Sequence, residues 1–276
     1  MRVGITGSNG FIGSELVKHF LSAGNEVVLC QRRKPETLQA NTSFVHFDLN
    51  DASTFPDVSK LDVLIHTAFM PYEKGNDSSR KNVEQTLALS EACIKNNVQF
   101  IFFSTLSAHE SALSEYGKHK YELEKKLDTS KVLILKLGLV IGAEGLYSRI
   151  KSIVAKSRII PLIGGGNQPE QIVLVSDVVK TIALCIEKKT TGIYCLASHR
   201  TYTLKEIFSR AAKQSGRTPL FIPVPYFVAD IAIGLVELLH LPFPVSKENL
   251  LGLKRMIPFE TKDDLKKLGV ELGENF

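Results

Sequence analysis

Two tyrosine–lysine pairs stand in one short stretch of this chain, Tyr116 with Lys120 and Tyr121 with Lys125, each four residues apart. On a helix that spacing puts both side chains on one face, a turn apart. A free phenol titrates near ~10, too high for efficient proton transfer at neutral pH. A neighbouring ammonium favours the phenolate and lowers that value. Surface tyrosines beside lysines are also commonplace, so spacing alone does not choose between the pairs. Just upstream, residues 101–107 are Ile-Phe-Phe-Ser-Thr-Leu-Ser, a buried strand ending in hydroxyls. A hydroxyl from Thr105 there can hold a substrate oxygen while Tyr116 donates or removes its proton.

A second chemistry is written at the start of the chain. Residues 6–13 are Thr-Gly-Ser-Asn-Gly-Phe-Ile-Gly. Gly7 suits the tight turn out of a strand, Gly10 lets the backbone approach a pyrophosphate, and Gly13 lets the following helix pack on the strand. The helix N-terminus then offers free N–H groups and its positive dipole end to phosphates. Three glycines so placed also make a ligand-free turn, but the strand before and the helix after favour a dinucleotide. Ser8, Asn9, Phe11 and Ile12 belong to the same loop. NAD is gripped by an acidic residue about 20 positions past the glycines. Here Cys30-Gln31-Arg32-Arg33-Lys34 offers no carboxylate before Glu36. Arg32 suits a 2′-phosphate through charge-assisted hydrogen bonds, so NADP is expected over NAD.

The elements that must position these groups follow from hydrophobic periodicity. Arg2–Thr6, Glu26–Cys30, Ser43–Phe47, Asp62–His66, Gln99–Ser104 and Val132–Leu137 read as strands, with helices at Phe11–Ser22, Arg80–Lys95 and Ser114–Leu127. Strand and helix in alternation predict an α/β fold, a Rossmann-type doubly wound parallel sheet. Residues 1–138 form the expected dinucleotide-binding domain, with returning strands at about 170–197 that include Val173–Val175 and Ile193–Leu196. Residues 139–169 and 198–276 form a smaller, mostly helical substrate-binding lobe. Thr203 with Glu206 is a capping-box start for one of its helices.

Composition narrows the class. Thirty-four basic against 29 acidic residues give a formal charge of +5, mild enough to suit anionic small molecules, and no nucleic-acid motif argues for more. Cys30, Cys93, Cys185 and Cys195 show no paired spacing. Buried, reduced thiols in a cytoplasmic setting are expected, with no zinc or other metal site. Met1 leads straight into a strand, which argues against a signal peptide. The apolar run from Tyr226 to Leu241 is interrupted by Asp230, Glu237 and His240, too short and too charged to span a bilayer. It reads as a core-facing helix, with a peripheral membrane or subunit contact as the alternative.

Taken together, these motifs resemble the short-chain dehydrogenase/reductase superfamily, in its extended or atypical branch of epimerase/dehydratase-like proteins. Thr-Gly-Ser-Asn-Gly-Phe-Ile-Gly is similar to that branch's glycine signature, Asp48-Leu49 to its adenine-contacting pair, and His66-Thr67-Ala68 to its strand-end motif beside the cofactor. Asn82 falls where the family often has an asparagine. The Tyr-Gly-x-x-Lys form selects Tyr116 and Lys120 over Tyr121 and Lys125. The resemblance implies that Tyr116 is the acid/base beside Thr105, and that Lys120 lowers its pKa and holds the nicotinamide ribose. It also suggests a homodimer. Two positions depart from sugar-nucleotide members. Leu139 replaces their substrate-contacting asparagine, and Glu170 replaces an arginine and would repel a diphosphate. Arg149, Lys151 and Arg200 are candidates to replace those contacts. His109 and His119, near the same site, read as solvated helix-end residues.

The leading expectation is an NADP-dependent oxidoreductase or epimerase that transfers hydride to or from a carbonyl or alcohol carbon of a small molecule, with a nucleotide-sugar as first candidate. The alternatives are a small-ketone or aldehyde reductase, and a non-catalytic NADP-binding scaffold or redox sensor whose Pro223–Pro244 tail serves a partner.

Overall fold

The computed structural model describes residues 1–71, 78–238, 246–273 and 276. Apolar runs of four to seven residues form six parallel strands: β1 (Arg2–Thr6), β2 (Glu26–Gln31), β3 (Thr42–His46), β4 (Val63–His66), β5 (Gln99–Thr105) and β6 (Leu133–Leu137). Between them lie α1 (Phe11–Ser22), α2 (Ser78–Lys95) and α3 (Glu115–Lys126). The remaining elements are β7 (Leu139–Ile141), α4 (Gly145–Lys156), β8 (Ile159–Ile163), β9 (Pro169–Glu170), β10 (Ile172–Leu174), α5 (Val175–Glu187), β11 (Gly192–Leu196), β12 (Tyr202–Thr203), α6 (Leu204–Gln214), β13 (Leu220–Val224), α7 (Tyr226–Leu238), α8 (Lys247–Lys254) and α9 (Lys262–Leu268).

The main sheet has seven parallel strands in the order β11-β6-β5-β4-β1-β2-β3. Strand order reverses beside β1, and the crevice outside the carboxyl ends of β1 and β4 is where open α/β sheets bind ligands. Both faces are covered, which is why the strands are apolar without alternation. Val3, Ile5, Ile101 and Leu135 pack under α1, α5 and α9 through Leu16, Phe20, Ile182 and Leu268. Leu64, Phe100, Phe102 and Ile134 pack under α2 and α3 through Leu89, Cys93 and Leu123.

Of the expected returning strands only β11 rejoins this sheet. The Val173 run pairs instead with β7, in parallel, as a separate two-stranded sheet. β8 pairs with β13 and β9 with β12 in two more ribbons. These frame a third core around Tyr147, Ile150, Ile160, Tyr202 and Ile207. Thr203 and Glu206 make the reciprocal capping box that opens α6.

α7 corrects the core-facing reading. Ala229 and Ile233 are buried against Leu250 of α8, but Phe227 and Ile231 are 65% and 61% exposed. Beside them on the uncovered side stand Val228 and Asp230, the latter paired with Lys254 at 2.8 Å. Residues 239–245, with His240, Leu241, Pro242 and Pro244, lie outside the described residues. Among the described residues no helix is long and apolar enough to cross a membrane. All four cysteines are free and buried, and burial pushes the thiols of Cys30, Cys93 and Cys195 up to about 12.

Candidate active site

The glycine loop is shaped by contacts that exclude side chains. Gly7 adopts φ +65°, and a Cβ there would press on the Ala68 backbone at 3.0 Å. A Cβ on Gly13 would stand 2.3 Å from the Gly7 carbonyl oxygen, so only glycine lets α1 rise this close to β1. Gly10 N-caps α1 with no side-chain hydrogen bond, which leaves the N–H groups of the first turn without a side-chain acceptor. Asn9 and Gly10 are exposed above them. A cradle of unfilled donors at a helix N-terminus fits the pyrophosphate of a dinucleotide.

Several expected cofactor residues are spent on building this cradle. Thr67 Oγ1 donates to the Thr6 carbonyl at 2.6 Å. The Ala68 N–H donates to Thr6 Oγ1 at 3.2 Å, and that hydroxyl also meets His66 Nδ1 at 2.7 Å. His66 is buried and reaches Thr86 on its other nitrogen at 3.1 Å. Burial, helped by the nearby Lys120 charge, pushes it down to about 3, so the ring is neutral. Asn82 exchanges two hydrogen bonds with the Met70 backbone, at 3.0 and 2.9 Å, and so fixes the loop after β4. Ser8 donates to Gln31 at 2.7 Å and ties the glycine loop to the end of β2. One residue further, Arg32 is exposed. Asp48 accepts from the Asn50 backbone N–H at 2.9 Å, and Leu49 beside it is buried.

The structure separates the two tyrosine–lysine pairs. Tyr116 lines a cavity of about 340 Å³ with Thr105, Ser107, Phe11 and Ile12. Tyr121 and Lys125 do not line it, and that pair stacks on itself at 5.5 Å with Lys125 exposed. Gly117 sets this register, because a Cβ there would meet the Ser107 carbonyl oxygen at 2.4 Å. Lys120 is buried, donates to the Phe103 carbonyl at 2.7 Å and lies over the Phe102 ring at 4.3 Å. Burial pushes its ammonium down to about 7. Burial also raises the Tyr116 phenol above its ordinary value, while a hydrogen bond with Thr105 pulls the other way. The expectation that Lys120 depresses the phenol is therefore not met in this arrangement. The amine is turned to Phe103 and is itself only partly charged near neutrality.

Beneath them lies a buried ion pair without a sequence signature. Lys136 donates to Glu124 at 2.7 Å and to the Ala108 carbonyl at 2.6 Å. Ser104 donates to the other Glu124 oxygen. His109 is not solvated as expected. It is buried, with Nε2 2.8 Å from the Arg255 carbonyl, and ties the loop after β5 to the C-terminal segment. His119 is also mostly covered, its side chain 19% exposed.

The cavity's far wall is formed by Leu139, Val140, Leu146, Glu170, Met256 and Ile257. Met256 and Ile257 carry no periodic signal that could have placed them there. Gln171 holds that segment in place by accepting from the Phe259 N–H at 2.8 Å and donating to its carbonyl at 2.9 Å. Arg149, Lys151 and Arg200 do not line the cavity. Arg200 stacks on Tyr202 instead.

Comparison with known proteins agrees with this architecture. The chain is 25% identical over 233 residues to the ceramide reductase of Caulobacter vibrioides, covering 81% of this chain and 73% of that protein. It is 22% identical over 272 residues to the mitochondrial NADH dehydrogenase (ubiquinone) 1 alpha subcomplex subunit 9 of Arabidopsis thaliana, covering 91% and 68%. The fold matches a dTDP-glucose 4,6-dehydratase from Streptomyces venezuelae with NAD bound, at a TM-score of 0.74 and 18% identity over 100% of this chain and 93% of that one. Sequence signature, sheet order and this likeness converge, and the match over residues 3–197 places the chain in the NAD dependent epimerase/dehydratase family, a family of enzymes.

Proposed function

We propose that the protein is an NADP-dependent oxidoreductase that moves a hydride between the nicotinamide and the carbonyl or carbinol carbon of a substrate with an apolar body. The observation that carries this reading is one cavity, mostly apolar, lined together by Thr105, Tyr116 and by Phe11 and Ile12 at the start of α1. The likeness to a ceramide reductase supports an apolar substrate. Leu139 and Glu170, where nucleotide-sugar members would have an asparagine and an arginine, argue against a diphosphate ligand, although epimerase, dehydratase and reductase chemistry all begin with the same transfer.

The dinucleotide, when bound, supplies or accepts the hydride. The first-turn N–H groups of α1 would hold its pyrophosphate, and Arg32 would supply a cation for a 2′-phosphate. Thr105 donates a hydrogen bond to the substrate oxygen and orients it. Tyr116 gives its phenolic proton to that oxygen as the carbonyl is reduced, or takes the proton when an alcohol is oxidised. Lys120, held at the Phe103 carbonyl, braces the end of β5, and the phenolate that forms is reprotonated from solvent.

The test is NADPH oxidation with medium-chain aliphatic ketones, paired with calorimetry against UDP. Turnover without micromolar UDP binding is expected. Micromolar UDP binding would return the assignment to a nucleotide-sugar. Cofactor choice has its own check. The unmodified protein is expected to bind NADPH more tightly than NADH by about 10- to 100-fold, the worth of one or two charge-assisted hydrogen bonds. Arg32→Asp should reverse that order, because a carboxylate accepts from a 2′-hydroxyl and repels a 2′-phosphate. Tighter NADH binding by the unmodified protein would sink the NADP reading.

A second reading, a dinucleotide-binding subunit without turnover, is favoured by the likeness to an NADH dehydrogenase subunit and by the exposed Phe227, Val228 and Ile231 of α7. It differs in one outcome, namely that NADPH binds but no carbonyl oxidises it.

A further inference from the structure

Glu170 is the one carboxyl that lines the cavity, and Tyr116 is the only other titratable group among the described lining residues. Its residue is 8% exposed, and among the described residues no hydrogen-bond donor or cation pairs with it. Its oxygens keep access to the cavity rather than being sealed in the wall, so the group its surroundings leave unpaired opens onto the space a substrate would fill. Its own strand does not satisfy it. Across the β9–β12 ladder it faces Tyr202, whose ring is covered by Arg200 and Arg210 at 4.7 and 4.8 Å. The adjacent Gln171 is fully engaged with Ser198 and Phe259.

We propose that Glu170 is the specificity-determining residue of this cavity, recognising through its carboxyl a neutral amide or hydroxyl carried by an otherwise apolar carbonyl substrate. This rests on the hydride-transfer reading above. Burial alone pushes the carboxyl up to about 8, so at neutral pH the group is mostly the uncharged acid. It then offers one O–H donor and a carbonyl acceptor, which an amide or a hydroxyl can match together. A substrate carboxylate or diphosphate would meet no cation here and would hold Glu170 protonated at best. This refines the simple repulsion expected from sequence, because discrimination comes from the lack of a countercharge in an apolar wall.

The experiment compares a medium-chain β-keto amide with the matching β-keto acid, methyl ketone and amino ketone, on the full-length protein saturated with NADPH. At pH 7 the amide should exceed the acid and the methyl ketone by about tenfold in kcat/KM, the worth of one buried hydrogen bond. Glu170→Gln keeps a donor and an acceptor and should hold that preference to within about threefold, consistent with an equivalent hydrogen bond. Glu170→Leu should turn over the amide no better than the methyl ketone, with the loss in KM. The amide preference of the unmodified protein should fall between pH 7 and 9 as the acid ionises, and that of Glu170→Gln should stay flat. A preference retained by Glu170→Leu, identical pH profiles for the unmodified protein and Glu170→Gln, or selection of the amino ketone would overturn the proposal. If NADPH binds and no probe reacts, the hydride-transfer reading fails separately. Calorimetry with the same compounds then decides the Glu170 proposal, with amide binding lost in Glu170→Leu supporting it and no amide binding to the unmodified protein refuting it.

Discussion

Tyr116→Phe should lower turnover by about 10²- to 10⁴-fold, the range for removing a positioned general acid, while NADPH affinity stays close to that of the unmodified protein. The ring remains to line the cavity, and only the transferable proton is gone. Tyr121→Phe is the internal control and should leave the rate nearly unchanged, since Tyr121 does not line the cavity. The pH dependence has a fixed sign. Burial holds the phenol above its ordinary value, so it stays protonated through neutrality and carbonyl reduction should be flat there. Alcohol oxidation needs the phenolate and should speed up as pH rises. Steady-state rates in both directions check this, and an essential Tyr121 with a dispensable Tyr116 would refute the register.

Lys136→Met is expected to cost about 3–5 kcal/mol of stability, the usual cost of stranding one member of a buried ion pair. Both side chains are nearly inaccessible, at 8% and 4%. Losing the ammonium leaves the Glu124 carboxylate with Ser104 as its remaining partner. Burial already raises the Glu124 carboxyl, so the variant can relieve part of the loss by taking up a proton, which points to the lower end of that range. Replacing both partners, as Lys136→Met with Glu124→Leu, should recover most of the loss, because an apolar pair of similar volume pays no desolvation. Chemical denaturation of the two single variants and the double variant measures the coupling. Additive losses would show that the pair does not act as a unit. The pair matters to the site because Ser104 precedes Thr105, Glu124 lies one turn beyond Lys120, and Lys136 fixes the Ala108 carbonyl in the loop between them.

The parts of this molecule readable from sequence are those where a local steric or periodic demand has few solutions. Gly7 and Gly13 are such demands, one for a positive φ and one for contact with the Gly7 carbonyl. The main-sheet strands are others, because burial on both faces requires continuous apolar runs. Spacing alone could not choose between Tyr116 and Tyr121. What separates them is Gly117 against Ser107, a contact between a helix and the loop before it. The family resemblance made that choice where periodicity could not. Contacts made across the fold were not readable. Val173 pairs with β7 rather than the main sheet, and Met256 and Ile257 reach the cavity from near the end of the chain. Thr67 and Asn82 show a subtler limit. They stand in the expected places, yet their side chains brace the loops that form the cradle. The apolar Tyr226 run departs from a core-facing helix because hydrophobicity reports burial only when a partner face exists, and Phe227 and Ile231 have none among the described residues.

On the proposed function, the Thr105–Tyr116 cavity passes a hydride between the nicotinamide and a carbonyl carbon. The most direct measurement is a single-turnover reaction of the protein saturated with NADPH deuterated at C4, followed by mass analysis of the product. With the β-keto amide or its methyl ketone, deuterium should appear on the new carbinol carbon, and Tyr116→Phe should slow its arrival at least about 10²-fold. Tight binding of NADPH with no deuterium passed to any of these carbonyls would rule out hydride transfer at this site.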